Sequence, residues 1–384
     1  VTNLKIAINA RLLASPDLRG WNRYTVNLLA ALPDHGVELF LYADAELCPD
    51  HLARLPKGSY QVRVARPMKY LRWEQRWVPA QCRKDGVEVF HSPFNFGIPW
   101  NNSCPQVLTL HDAIGERFYG PALRWQQKLK AEVLKTRIYH RTARLRADRI
   151  IAPSEFTRAD LIDHLRLPAE KISVIYEAAD MNFTAPVTVE YRTRVRKVHH
   201  LEKPYLFYVG GWEERKNIPF LVQAFAVAKL EGVELVLAGG KDEQRAGLLE
   251  LAESLGVRET VRLLGWVDEN DLPALYAEAL CFVYPSRYEG FGLQLCEAMA
   301  VGTPVLAARA TCLPEILGEG GETFSLEDTA ELTALLKRIA TEPAFRARLA
   351  DRGRRRSAEF SWTRTAAETV AVYRRAITGA RTKA

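Results

Sequence analysis

The sequence has no run near the roughly eighteen unbroken apolar residues of a membrane-spanning helix. Its N-terminus, Val-Thr-Asn-Leu-Lys-Ile, opens directly on a strand-like stretch without a signal peptide, so a cytoplasmic protein is expected. The six cysteines, Cys48, Cys82, Cys104, Cys281, Cys296 and Cys312, are scattered without a C-x-x-C pair. They read as reduced structural thiols, not as a disulfide framework. Asp-x-Asp is missing, and no His, Cys or carboxylate cluster has metal-ligand spacing. No metal and no other cofactor is therefore expected. A full G-x-G-x-x-G is missing too, so Gly210-Gly211 makes a weak dinucleotide site. Short repeats and low-complexity stretches are absent.

What remains is a chain of 384 residues, 48% of them hydrophobic, which suits a soluble globular protein of two domains. Its charge is uneven. Residues 1–185 hold 26 basic and 19 acidic residues, an excess of seven, while residues 186–384 hold 27 of each. That asymmetry bears on partners and not on the fold.

Short hydrophobic runs alternate with helical ones. Strands are expected at Lys5–Asn9, Val37–Tyr42, Gln61–Val64, Val87–His91, Val107–His111, Arg149–Ala152 and Ile172–Tyr176. The second half repeats the style at Tyr205–Val209, Glu234–Ala238, Val261–Leu264, Cys281–Tyr284 and Pro304–Ala307. Helices are expected between them, among others at Tyr24–Leu32, Ala122–Arg146, Ile218–Lys229, Gln244–Leu255, Asn270–Ala279 and Leu293–Val301. The pattern is α/β: two doubly wound Rossmann-like domains in tandem. Residues 178–203 lack a clean hydrophobic period, which puts the boundary near residue 190. Such sheets bind ligands at the carboxyl ends of their strands, so a cleft between the domains is the expected active site.

Two glutamates, Glu289 and Glu297, stand eight residues apart around Gly290-Phe291-Gly292. No helix or strand repeats at eight. The spacing instead crosses a junction: Glu289 follows the strand ending at Tyr284, and Glu297 lies on the helix that starts near Leu293. Backbone N–H groups at that helix start form a ready anion site, and glycines let a ligand approach closely. Anion donors beside two carboxylates suit a ligand with both phosphate and hydroxyls, such as a nucleotide sugar. A capped helix behind a glycine-rich loop explains the same spacing without any ligand.

Arg215 and Lys216 follow the strand Tyr205–Val209 and directly precede a helix. Two cations there oppose the helix dipole. A diphosphate would account for them, because Arg offers a planar fork and Lys a point charge. Such groups stabilise a departing diphosphate more than the ground state. A solvated pair balanced by Glu213 and Glu214 is the alternative.

These segments resemble the family 4 retaining glycosyltransferases of the GT-B fold, which include bacterial mannosyl- and other hexosyltransferases. The resemblance rests on Glu289 to Glu297, on the run through Val305, on Arg215-Lys216-Asn217 and on Leu264 to Tyr276. It continues in Phe360-Ser-Trp-Thr-Arg-Thr365 and, in order, in Gly20 to Thr25, His111-Asp112 and Ser154 to Thr157. It implies an N-terminal acceptor domain (1–190), a nucleotide-sugar domain (191–360) and a final helix (361–384) crossing back to the first. Carried over, it implies that Glu289 binds the transferred sugar with backbone groups of Phe291, Gly292 and Leu293, and that Gly290 belongs to the same loop. Glu297 would hold the ribose, Arg215 and Lys216 the diphosphate, and Gly265, Trp266 and Val267 the base. His111 would face sugar and acceptor, where a lone strand-end histidine would otherwise read as structural. Gly20 would admit the first loop to the phosphates. Two positions depart from the family pattern: Gly211, where an arginine is common, and Asn22, where a second glycine is usual.

The resemblance implies transfer of a hexose, with retention, from a GDP-mannose or UDP-hexose type donor to a hydroxyl acceptor. Glu297 is assigned to the ribose, so two carboxylates flanking the scissile bond, as in glycosidases, are not expected. An epimerase on the same scaffold and a non-catalytic nucleotide- or sugar-binding relative are the other readings. The basic excess falls in Arg66–Trp77, where cations and aromatics interleave, and in residues 124–149. Such faces suit either solvent or an anionic membrane bearing a lipid-linked acceptor. No nucleic-acid reader motif accompanies them.

Overall fold

A computed structural model describes residues 3–16, 20–118 and 138–381. The chain divides into two compact units, Val1–Glu177 with Ser361–Ala384, and Ala178–Phe360. The division therefore falls at Glu177/Ala178 and not near residue 190. The polar stretch read as a linker contains helix Val189–Val198, whose single buried side chain is Val195. One apolar contact leaves no period to detect.

In the first unit seven strands are all parallel. They are β1 (Leu4–Asn9), β2 (Val37–Ala43), β3 (Tyr60–Val64), β4 (Val89–Ser92), β5 (Gln106–Thr109), β6 (Arg149–Ala152) and β7 (Ile172–Val174). Their order, β3-β2-β1-β4-β5-β6-β7, reverses direction between β1 and β4. β5 ends at Thr109, which leaves His111 in the loop beyond it. Helix α1 (Trp21–Ala31) starts at Gly20, whose φ of 46° favours glycine, and turns Tyr24, Val26, Leu28 and Leu29 inward. Asn22 is the second residue of that helix and needs no left-handed backbone. Helix α2 (Glu155–Leu165) is capped by Ser154, whose hydroxyl accepts from Thr157 N at 3.0 Å. The Ser-centred motif is thus at least a helix cap, a feature worth about 1 kcal/mol.

The second unit holds β8 (Tyr205–Gly210), β9 (Glu234–Gly239), β10 (Val261–Gly265), β11 (Cys281–Tyr284), β12 (Val305–Ala308) and β13 (Glu322–Phe324). This parallel sheet runs β10-β9-β8-β11-β12-β13 and reverses between β8 and β11. The short β13 escapes sequence analysis because it has only three residues and opens on a glutamate. Helices α3 (Val189–Val198), α4 (Ile218–Ala228), α5 (Asp242–Ser254), α6 (Leu272–Glu278) and α7 (Leu293–Val301) belong to this unit. Tyr205, Phe207, Tyr276 and Phe282 form an aromatic core under β8 and β11.

The last helix, α8 (Trp362–Arg381), packs with the first unit. Buried Trp362, Ala366, Val370, Tyr373 and Ala376 recur every three or four positions, flanked by buried Thr365, Thr369 and Val372, an amphipathic stripe. Tyr373 OH lies 2.7 Å from His91 Nδ1 on β4, inside that core.

The aromatics interleaved with cations in Arg66–Trp77 are committed inward. Trp73 is fully buried, and Tyr70 and Trp77 pack against the core. Most of the second basic run lies outside the described residues. Within residues 138–149, Ile138 and Leu145 are exposed beside Arg141, Arg144 and Arg146, while Ala143 and Ala147 face the core. No helix among the described residues is long and apolar enough to cross a membrane.

Candidate active site

The reversal between β8 and β11 leaves a crevice at the carboxyl ends of those two strands, the place where open α/β sheets bind ligands. After β8 the chain passes Gly210-Gly211 into one tight turn, Glu214–Lys216, and then into α4. After β11 it passes Pro285 to Gly292 into α7. The two loops are tied together: Arg287 N donates to Arg215 O at 2.7 Å.

Three charged side chains meet there. Lys216 Nζ donates to Glu289 Oε1 at 2.6 Å, and Arg215 Nη1 donates to Glu289 Oε2 at 2.9 Å. Arg215 also reaches Tyr288 O at 3.2 Å. Tyr284 OH accepts from Lys216 at 3.0 Å and has one proton for either Glu289 or Gln294, each 3.0 Å away. Lys216 and Glu289 are buried, while Glu213 and Glu214 are exposed. A solvated pair balanced by those two glutamates is therefore not what the fold builds. The cations instead share one buried carboxylate, and the one positive charge left over is opposed, among the described residues, only by exposed Glu213 nearby.

Burial alone would raise the Glu289 carboxyl, but the charges of Lys216 and Arg215 outweigh it and hold the group below its ordinary value. Burial wins at Lys216, whose ammonium is pushed down despite Glu289. At Arg215 burial works against the charge and Glu289 overcomes it, so the guanidinium stays firmly protonated.

The backbone around Glu289 is held from behind. Glu289 N donates to Thr311 Oγ1 at 3.2 Å, and Thr311 itself has φ 51°, rare for a β-branched residue. Cys312 Sγ lies 3.3 Å from the carbonyls of both Glu289 and Phe291. Gly292 caps α7 with φ 91°, and a Cβ there would stand 3.1 Å from Leu313. Its glycine is needed for conformation and for space. Leu293 then opens α7, whose first N–H groups have no partner within the helix. Phe291 is buried against Phe360, and Gly290 lies between it and Glu289.

Glu297 stands apart from this cluster. It is buried on α7, and Tyr276 OH donates to its Oε2 at 3.1 Å. Gly265 ends β10, and Trp266 after it is 63% exposed while Val267 is buried.

In the first unit, Gly20 follows β1 and His111 follows β5. His111 is buried, with Nδ1 3.1 Å from Glu177 Oε1 and Nε2 2.9 Å from Pro93 O. Both ring nitrogens thus face protein acceptors. Trp21 stacks over the ring at 6.1 Å and Tyr24 meets it edge-on at 4.8 Å. Burial would lower the His111 value, yet the Glu177 hydrogen bond and charge raise it above the ordinary one.

Sequence reasoning missed Tyr284, Gln294, Thr311 and Glu177. Glu177 alone left a trace, as the one charge in the run Ile175-Tyr-Glu-Ala-Ala179.

Residues 18–183 match the family described as Glycosyltransferase Family 4, and residues 191–356 match Glycosyl transferases group 1. The O-antigen chain mannosyltransferase B of Escherichia coli is 31% identical over 294 residues, 74% of this chain and 74% of that protein. The MMP alpha-(1->4)-mannosyltransferase of Mycolicibacterium hassiacum is 35% identical over 233 residues, 59% of this chain and 54% of that protein. The chain thus matches about half of that second relative's length. Among solved structures, Anabaena Alr3699/HepE in complex with UDP-glucose has a TM-score of 0.72 at 19% identity, covering 96% of this chain and 100% of that one. The chain is a glycosyltransferase of family 4, with the GT-B fold of two Rossmann-like domains.

Proposed function

We propose that the chain transfers a hexose, with mannose the leading choice, from a nucleoside-diphosphate sugar to a hydroxyl of a glycan acceptor, with retention at the anomeric carbon. The observation that carries this reading is the buried Glu289 clamped by Arg215 and Lys216 at the strand ends. Without ligand, the carboxylate occupies the cations. A diphosphate brings enough negative charge to take them over, which frees Glu289 to accept hydrogen bonds from sugar hydroxyls. Arg215 and Lys216 then neutralise the leaving diphosphate as charge builds on it. Backbone N–H groups at the start of α7 add to the same field.

Retention is what the resemblance to family 4 implies, and double displacement is not the route we assign to it. Glu289 is assigned to sugar hydroxyls and Glu297 to the ribose, so no pair is left to flank the bond as in double displacement. The departing diphosphate oxygen is the base we assign to the acceptor proton, on the face where the acceptor attacks. Gly265 to Val267 would contact the base, and Gly20 the phosphates. No metal or other cofactor enters the proposal, because Arg215 and Lys216 supply the counter-charge; turnover undiminished by a chelator is the expected result. Mannose and a glycan acceptor are favoured because both curated relatives described above are mannosyltransferases, one of them for an O-antigen chain. Exposed Ile138 and Leu145 among arginines favour peripheral contact with an anionic membrane surface.

The test is a thermal-shift panel with UDP, GDP, ADP, dTDP and CDP, without added metal. At a hundredfold excess over Kd, one bound nucleotide stabilises the fold by about 2.7 kcal/mol. A shift for one base, lost in the Arg215→Ala, Lys216→Ala double variant, supports the site and selects the donor. No shift for any base overturns it. GDP as the selected base would favour the mannosyl reading.

A further inference from the structure

His111 is held from two sides, and both partners are acceptors. The Pro93 carbonyl can only accept, so Nε2 carries a proton. An ionised Glu177 can only accept as well, so Nδ1 carries the other. We propose that Glu177 is a positioning residue for glycosyl transfer: it keeps His111 doubly protonated with both N–H bonds turned into the protein. His111 then stands as half of a neutral ion pair, fixed in orientation, and not as a proton acceptor. This rests on the reading above that His111 lies at the donor sugar.

The surroundings agree. Glu177 and Asp112 are the acidic groups facing the ring, and both favour its charged form. From β4 comes His91, which burial and the charge of His111 push down to about 3, so it adds no second cation. Tyr24 faces the ring from α1, and its phenol is pushed up by burial and stays neutral. The backbone that presents Glu177 is pinned on both sides of the sheet edge. Ile175 N donates to Ala152 O at 2.9 Å, and Thr365 Oγ1 on α8 lies 2.7 Å from Tyr176 O. A carboxylate delivered from so fixed a segment sets the ring's orientation as well as its proton count.

The experiment uses the full chain labelled with ¹⁵N-histidine, with the His111 signals assigned by their loss in His111→Gln. In the wild type, both ring nitrogens should read as protonated at about pH 7.5, above the ordinary histidine range. In Glu177→Gln the ring should be neutral at that pH. The alkaline fall of kcat/KM should move down by about one pH unit or more, a tenfold change in the proton equilibrium. A merely structural role would lower activity evenly at every pH and leave that limb in place. A singly protonated wild-type ring overturns the proposal, and that spectrum needs no variant to fold. Adding the nucleoside diphosphate and sugar donor separates the two readings. His111 signals that ignore the donor remove the histidine from the site and end the positioning role, even with the ion pair intact.

Discussion

The two units build charged clusters of opposite design at matching places, just beyond the strand ends. In the second unit two cations share one buried carboxylate, so Arg215, Lys216 and Glu289 carry a net positive charge that, among the described residues, only the exposed Glu213 opposes from nearby. In the first unit His111 and Glu177 balance each other, and aromatic rings of Trp21 and Tyr24 enclose the pair. On the proposed function the unbalanced cluster takes up an anion and rearranges when it arrives. The balanced one has nothing to gain from an anion and holds its geometry. On the proposed function the second unit supplies adaptable charge for the diphosphate, whereas the first holds a rigid, neutral pair.

Removing the carboxylate from the unbalanced cluster should have the largest effect. Glu289→Gln is expected to lower kcat by about 10²–10³-fold, the scale of losing one pre-oriented polar group. Near-normal turnover would remove Glu289 from the sugar site. The same variant takes the carboxylate from buried Lys216 and half-buried Arg215, and breaking a buried pair costs about 3–5 kcal/mol. Its melting temperature should therefore fall, while the gain on adding nucleoside diphosphate should exceed that of the wild type. An equal or smaller gain would mean that Glu289 and the diphosphate do not compete for the same cations.

pH should separate the clusters, because they fail at opposite ends. Glu289 is depressed in the folded chain, so its contribution is full above the ordinary value of 4.5 and is lost as pH falls through the folded value. His111 is raised, so its contribution is full below the ordinary 6.5 and is lost as pH rises through the folded value. A tenfold change in either group's proton affinity is worth about 1.4 kcal/mol of stability. Melting curves across pH should show an acid slope that Glu289→Gln flattens and an alkaline slope that His111→Gln flattens. A variant that flattens the wrong slope would break the comparison.

How much of this was legible depends on the distance over which the physics acts. Every strand but β13 could be read, most of them because buried parallel strands are continuous apolar runs, and α7 could be read residue for residue from Leu293 to Val301. Arg215, Lys216 and Glu289 each stood out locally, two as cations set against a helix dipole and one as an acid beside glycines. Their contact did not, because Arg215 and Glu289 lie 74 residues apart and meet only through the β8–β11 pairing. The partner of His111 was hidden for the same reason, 66 residues away. Helix α3 was hidden for another: its single buried valine leaves no period, and its charges resemble a linker.

A smaller effect tests the frame of the first unit. Tyr373→Phe removes the hydroxyl that meets His91 in the core under α8, and leaves Nδ1 without that partner. The cost should be about 1–3 kcal/mol, the penalty of one unmet buried polar group. Chemical denaturation should report it with little change in nucleotide affinity, since Arg215, Lys216 and Glu289 belong to the other unit. A large loss of nucleotide binding would show that the two clusters are not independent.

The smallest expected effect is at Thr311, where two contributions oppose each other. Its left-handed backbone is a strained conformation for a threonine, at about 1–3 kcal/mol. Its hydroxyl also accepts from Glu289 N, a bond worth about 0.5–1.5 kcal/mol. Thr311→Gly releases the strain and loses the bond, and the freer unfolded chain takes back a further part, about 0.4–1 kcal/mol. The net change in stability should therefore centre near zero, between about 1.5 kcal/mol lost and about 2 kcal/mol gained. Activity should respond more than stability, because the lost bond positions the backbone of Glu289 directly. If Thr311→Gly instead leaves kcat untouched, the loop is held by its other contacts, to Arg215, Lys216, Tyr284 and Cys312. The strain at Thr311 would then have no part in aiming the carboxylate.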